Sequence, residues 1–94
     1  MRSTPTVSEV RFHPANRAHR ASGLLGWVTA EIDSVLIDGI TLRRTREGRF
    51  VLGFPKHVAT DGTHYPTVRP RGPAEREAIT NRIVGYVRAR GWLP

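Results

Sequence analysis

The sequence predicts a single α+β domain, in which an antiparallel sheet of four to five strands precedes one C-terminal helix packed against it. Short apolar segments of mostly alternating pattern, separated by turn residues, occupy the chain as far as residue 54, which is typical of strands. The segment with helical periodicity, residues 73–90, follows them. A chain of 94 residues has the size of one domain. Residues 1–6 are expected to be a flexible tail, so the domain spans residues 7–94.

Turn residues divide the sheet region into strands at residues 7–13, 23–32, 35–44 and 49–54, and a short fifth strand is predicted at 64–68. Pro14 ends the first strand because proline cannot donate to a ladder. Within that strand Val7 alternates with Val10 and Phe12, which predicts opposite faces. Asp33-Ser34 and Gly48 mark tight connections. The strands therefore form a meander, with residues 16–20 and 56–63 as loops.

The second strand predicts which face of the sheet is buried. Its alternate residues are apolar throughout and are expected to form the core face: Leu24, Gly26, Val28, Ala30 and Ile32. Trp27 falls on the opposite face. It is expected at an interface with another molecule, or as a platform on which bases stack, and the interface is favoured.

The helix has clear signals at both ends. Pro73 suits the first helical position, where its missing N–H is not needed. Gly91 suits the C-terminal stop, and acidic residues in the first turn with basic ones in the last match the helix dipole. The predicted buried stripe is Ile79, Ile83, Tyr86 and Val87.

The charge is strongly positive. Fifteen basic residues face eight acidic ones, giving +7, and all the basic residues except Lys56 are arginines. Arginine presents a planar fork that suits phosphate and stacks on bases, so an excess of this size favours a polyanionic partner. A genome that prefers arginine would explain the Arg/Lys ratio but not the net charge.

Catalytic and metal-binding patterns are not found in the sequence. There is no cysteine, which excludes disulfides, zinc thiolate sites and thiol nucleophiles. The histidines and carboxylates are scattered, and no glycine-rich loop opens a helix after a strand. We therefore expect no enzyme, cofactor, metal or small-molecule substrate. No apolar run is long enough for a membrane helix or a secretory signal, so a cytoplasmic location without a membrane partner is expected.

Two groups of basic residues are candidate nucleic-acid contacts. The first surrounds a predicted hairpin tip and can grip phosphates: Arg43, Arg44, Arg46 and Arg49. The second flanks the loop before the helix: Lys56, His57, Arg69 and Arg71. The groups lie at opposite ends of the fourth strand, roughly 20 Å apart, so one continuous patch needs a dimer or a chain that folds back. Arg17, His19 and Arg20 could extend the surface. Alternatively, the arginines of the first group belong to a solvated hairpin and protect a sheet edge from aggregation.

Four short motifs resemble a known bacterial family, the SpoVG or stage V sporulation and septation regulators. Residues 7–12 resemble its opening Val-Thr-Asp-Val-Arg-Leu, and residues 50–55 resemble its Leu-Phe-Val-Ala-Met-Pro. Asp61-Gly62 stands where the family has Asp-Gly, and Arg69-Pro70 where it has His-Pro. Order and spacing agree over residues 7–86. The chain departs from the family at Pro55-Lys56-His57-Val58, where the family has Pro-Ser-Lys-Arg, and at Arg43-Arg44-Thr45, where it has Ile-Asp-Gly or Ile-Glu-Gly.

The resemblance implies a divergent SpoVG-like homodimer that binds DNA, and in some members RNA. In that family such binding regulates genes of sporulation, cell division or the envelope. Together with the charge, it predicts a non-enzymatic nucleic-acid-binding regulator that contacts phosphates through arginine-rich loops. The alternative is a protein–protein interaction module whose basic surface meets an acidic partner, linked to septation or sporulation.

Overall fold

The structure, a computed structural model, describes residues 4–93. It is α+β, as predicted, with a four-stranded antiparallel sheet, a separate two-stranded sheet and a long C-terminal helix. In chain order the elements are β1 (Val7–Pro14), α1 (Arg17–Ala21), β2 (Leu24–Ile32), β3 (Val35–Arg44), β4 (Phe50–Gly53), β5 (Lys56–Val58), β6 (His64–Pro66) and α2 (Pro73–Ala89).

The larger sheet is the predicted meander, with strand order β1-β2-β3-β4. Asp33 and Ser34 form the β2–β3 turn with φ of 49° and 69°, the left-handed backbone that a two-residue hairpin turn requires. The β3–β4 hairpin turns at Gly48, whose φ is 86°, and the Thr45 N–H donates to the Arg49 carbonyl at 2.8 Å. Both turns lie where the sequence predicted them.

Bulges change which strand residues face the core. In β1 the register shifts between Ser8 and Arg11, and Glu9 takes a φ of 53°. The extra residue puts both Val7 and Val10 in the core, so the predicted simple alternation, which separated them, is wrong. A second shift lies opposite Val28–Ala30 and likewise lets Ile37 and Ile40 both be buried.

The face of β2 predicted to be buried is buried at all five positions. Leu24, however, lies outside the main core, and Leu25 packs against that core instead, because the register shifts between Leu24 and Gly26. A Cβ on Gly26 would lie 2.7 Å from the Phe12 ring. Glycine therefore leaves the space that this ring occupies.

Helix α2 closes the core by packing on the sheet with Ile79, Ile83, Val84 and Val87. Tyr86, predicted in this stripe, is 40% exposed, and its hydroxyl donates to the Val7 carbonyl at 3.5 Å. The buried stripe is rotated towards Val84, which leaves the tyrosine hydroxyl at the edge where it finds a polar partner. The helix ends at Ala89 with Arg90 as its C-cap, and Gly91 follows with a φ of 78°, the C-terminal stop that the sequence predicted.

Two local predictions, both of loops, are wrong. Residues 17–21 form a short helix rather than a loop, because the Asn16 side chain accepts a hydrogen bond from the His19 N–H at 2.9 Å and caps it. Residues 56–58 are a strand that pairs with β6 in the second sheet. Thr6, predicted in a flexible tail, is hydrogen-bonded to Asp33 by two contacts of 2.9 Å. Residues 1–3 of that tail lie outside the described residues.

Candidate functional site

Arginines from separate elements line a groove at one end of the larger sheet. Arg20, at the end of α1, and Arg44 and Arg46, from the β3–β4 hairpin, line a cavity of about 400 Å³. We call this cavity and its arginines the basic groove. The hairpin is held there by the Arg44 N–H, which donates to the Gly23 carbonyl at 2.8 Å.

Gly23 is what allows the two segments to approach so closely. Its φ is 101°, and a Cβ there would lie 2.9 Å from the Arg44 carbonyl oxygen. Only glycine accepts this combination of positive φ and backbone proximity without strain. The position of Arg20 beside the hairpin therefore depends on one residue three positions further along the chain.

Phe50 brings a further arginine to the same end of the molecule. The guanidinium carbon of Arg44 lies 5.8 Å from the centroid of the Phe50 ring, and that of Arg88 lies 5.6 Å from it. Both distances are within the range of a cation–π interaction. The ring itself packs against the core, so it fixes the hairpin and the last turn of α2 relative to each other.

The four arginines predicted at the hairpin tip do not share one surface. Arg44 pairs with Phe50 on the helix side, whereas Arg43 pairs with Val51 and lies on the opposite face, because neighbouring strand residues point to opposite faces. Arg46 lines the basic groove. Arg49 is exposed in the loop.

One carboxylate accompanies the hairpin tip. The pKa of Glu47 is lowered from its ordinary value by its own backbone N–H, by the Thr45 hydroxyl and by the charge of Arg49. Glu47 is therefore ionised at neutral pH and offsets one positive charge. Within residues 4–93, no ion pair engages Arg20, Arg44, Arg46 or Arg88, so their charge is available to a partner.

The second predicted group lies at the other end of the sheet. Lys56 and His57 are exposed on β5. Arg69 and Arg71 line a separate cavity of about 440 Å³ beside the β2–β3 turn. This cavity also has acidic residues in its wall, Asp33 and Glu75. The two groups are thus divided between opposite ends, as expected from the path of β4, and the chain does not bring Arg69 and Arg71 back to the hairpin.

Two members of the arginine cluster could not be chosen from the sequence. The sequence predicts Arg20 only as an extension of the surface, and it predicts the basic residues of the last helical turn, to which Arg88 belongs, only as partners of the helix dipole. Gly23 was the available signal for Arg20, because a glycine just before a strand can mark a close backbone approach. Nothing local marks Arg88, whose position depends on how α2 docks on Phe50.

Two other features are absent from the described part of the chain. Residues 4–93 contain no group of three histidine or carboxylate side chains placed to hold a metal ion. No helix in the same range is long and apolar enough to cross a membrane.

Comparison with models of known protein families gives no match, and comparison with curated protein sequences gives none either. The resemblance to the SpoVG family therefore stays a prediction.

Proposed function

We propose that this chain is a non-enzymatic nucleic-acid-binding protein with a regulatory role, and that its basic groove contacts the phosphate backbone. The observation that carries the proposal is the convergence of Arg20, Arg44 and Arg46 on one groove, with Arg88 held beside them through Phe50. These side chains come from three different elements of a chain with a net charge of +7. The partner is DNA, with RNA as a second candidate.

The mechanism is phosphate neutralisation. Guanidinium groups bind phosphate oxygens through paired hydrogen bonds, and each contact releases counterions from the nucleic acid. Four phosphate contacts on duplex DNA give a slope of about −3.6 in a plot of log affinity against log salt. Affinity then falls roughly 150-fold between about 50 and 200 mM salt. An acidic protein partner has no condensed counterion atmosphere of that density, so its binding should depend less steeply on salt.

The proposal includes a homodimer. Val35 and Leu36, which follow the β2–β3 turn and point to opposite faces of β3, are 56% and 62% exposed, so this end of the sheet offers two apolar side chains to a second copy of the chain. This pair lies at the end of the sheet away from the basic groove. A dimer formed there leaves both basic grooves accessible, and light scattering on the purified protein measures its mass.

The test is a fluorescence anisotropy titration with short random duplex DNA and with RNA, at about 50 and 200 mM salt. The variant R20Q/R44Q/R46Q removes three charges from the basic groove and keeps part of each aliphatic stem. The control variant K56Q/R69Q/R71Q removes three charges from the opposite end. Urea unfolding of both variants verifies that each is folded.

We expect the groove variant to bind with a salt slope near −0.9, because about one contact remains, while the control variant keeps most of the wild-type slope. Equal losses in both variants would show that net charge alone drives binding and would contradict the groove. If the folded wild-type protein binds neither DNA nor RNA at low salt, the nucleic-acid function is wrong, and an acidic protein becomes the leading partner.

A further inference from the structure

The larger sheet has a second exposed surface, on the side opposite α2. We call it the open face, and its members follow from the strand register. A full cross-strand row on it runs through four strands: His13, Trp27, Thr41 and Gly53. Side chains directly opposite one another in an antiparallel sheet lie on the same face in contact range.

Trp27 is the large side chain of this row. It is 38% exposed, although tryptophan carries an apolar ring system of the kind that sheets usually bury. The His19 ring approaches it nearly perpendicular, with centroids 6.2 Å apart. Towards β4 the row continues with Thr41, a small side chain, and Gly53, which has none. The indole therefore lies next to a part of the open face that carries only small residues.

Positive charge flanks the indole on the same face. Arg43 is two residues from Thr41 along β3, and Arg11 is two residues from His13 along β1. Each is a diagonal neighbour of Trp27, at roughly 7 Å between backbones, and arginine side chains are long enough to cover that distance. Both are exposed, and within residues 4–93 neither is in an ion pair.

The acidic residues of the open face lie on the side of the β2–β3 turn. Asp38 accepts a hydrogen bond from the Thr29 hydroxyl at 2.9 Å, and Glu31 accepts one from the Ser8 hydroxyl at 3.0 Å. Arg43 thus lies towards the β3–β4 hairpin, whereas Arg11 pairs with Thr29 and lies on the side of the β2–β3 turn, together with Glu31 and Asp38. A polyanion that crosses Trp27 therefore meets one arginine on either side of the indole, and Arg43 is the one that lies on the side of the basic groove.

We propose that Trp27 stacks on an unpaired base of single-stranded nucleic acid, with Arg43 and Arg11 holding the phosphates on either side of that base. Stacking on an exposed aromatic ring requires a base that is free of its duplex partner. The inference rests on the proposed function and deepens it, because it makes the single strand the preferred ligand. Arg43 then continues the surface of the basic groove around the edge of the hairpin.

The experiment separates single strands from duplex. The ligands are a short labelled oligothymidine, an oligouridine and a duplex of equal length. The proteins are the wild type, W27L, W27F and Y65L. The last is a matched control, because Tyr65 is 51% exposed on β6, in the second sheet. A W92F background leaves Trp27 as the sole tryptophan of the chain, which has two, so its emission reports on the site directly.

We expect the single strands to quench Trp27 emission to saturation. W27L should weaken single-strand binding roughly 5- to 140-fold while duplex affinity changes less than about twofold. W27F should recover most of the loss, and Y65L should match the wild type. Urea unfolding verifies that W27L is folded.

Unchanged single-strand affinity in W27L, or equal losses for single strand and duplex, would overturn the inference and leave the basic groove in place. A dimer that dissociates on W27L without any selective loss of single-strand binding would also overturn it, and would assign Trp27 to an interface between two copies. Absence of all nucleic-acid binding in the wild type would instead remove the proposed function, and this inference with it.

Discussion

Replacing Phe50 by leucine should weaken the contact between the hairpin and α2 without changing the charge of the protein. Leucine keeps most of the apolar volume that packs against the core, and such swaps usually cost less than about 1.5 kcal/mol. The ring is also within 5.8 Å of the Arg44 guanidinium and 5.6 Å of that of Arg88. Each cation–π contact at an exposed site contributes about 0.5–1 kcal/mol. We therefore expect F50L to lower the free energy of unfolding by about 1–3 kcal/mol.

A double-mutant cycle isolates the cation–π part of that loss. F50L, R88M and the double variant are compared by urea unfolding, and the coupling energy between the two sites should be about 0.5–1 kcal/mol. Methionine keeps the aliphatic stem of Arg88 and removes its charge. A coupling energy indistinguishable from zero would refute the idea that Phe50 holds Arg88, because both substitutions would then act independently.

The chain offers an internal comparison for this cycle. Arg76 lies 5.6 Å from the Phe54 ring centroid and also donates to the Leu52 carbonyl at 3.1 Å. R76M therefore removes a charged hydrogen bond as well, worth about 1.5–3 kcal/mol. We expect it to destabilise the protein more than R88M does. Because Phe50 also orders two arginines of the proposed interface, F50L should reduce nucleic-acid affinity, whereas a matching F54L should not.

Two further predictions concern stability and ionisation. G85A should raise the free energy of unfolding by about 0.5–1 kcal/mol, because a Cβ on Gly85 would have no atom within 4 Å. G91A should lower the free energy of unfolding, because Gly91 has a φ of 78°. Thermal unfolding of both variants shows whether the melting temperature rises or falls. The pKa of Asp61 should lie below its ordinary value of 3.8, because the Thr63 backbone N–H and hydroxyl bond to its carboxylate. The resulting stabilisation of the β5–β6 hairpin is present above pH 3.8 and is lost as the pH falls through the lowered pKa. NMR titration of Asp61 measures its pKa, and an unshifted pKa would contradict the prediction.

The alternation of β2 and the signals at the ends of α2 correctly predicted local structure. Pro73 and Gly91 act within one helical turn, and Asp33-Ser34 acts within a two-residue turn. Leu24 and the next four alternate residues are all buried, since the period of a strand is a property of its own backbone. The positive charge was equally certain, because it depends on composition alone.

The sequence pattern did not predict the bulges in β1 and β3. An added residue such as Glu9 is accepted only because the strand opposite and the core beneath it allow Val7 and Val10 to be buried together. The same limit explains Tyr86, whose exposure depends on the angle at which α2 lies across the sheet. These outcomes are set by packing between segments distant in the chain.

The candidate site divides in the same way. Its chemistry, arginine-rich and without cysteine, was determined by the sequence. Only the tertiary structure decided that Arg44 and Arg88 meet at Phe50, that Arg20 joins them across Gly23, and that Arg43 turns to the other face beside Trp27. The physical reason is that charge belongs to individual residues, whereas a surface is created when core packing brings separate elements to one end of the sheet.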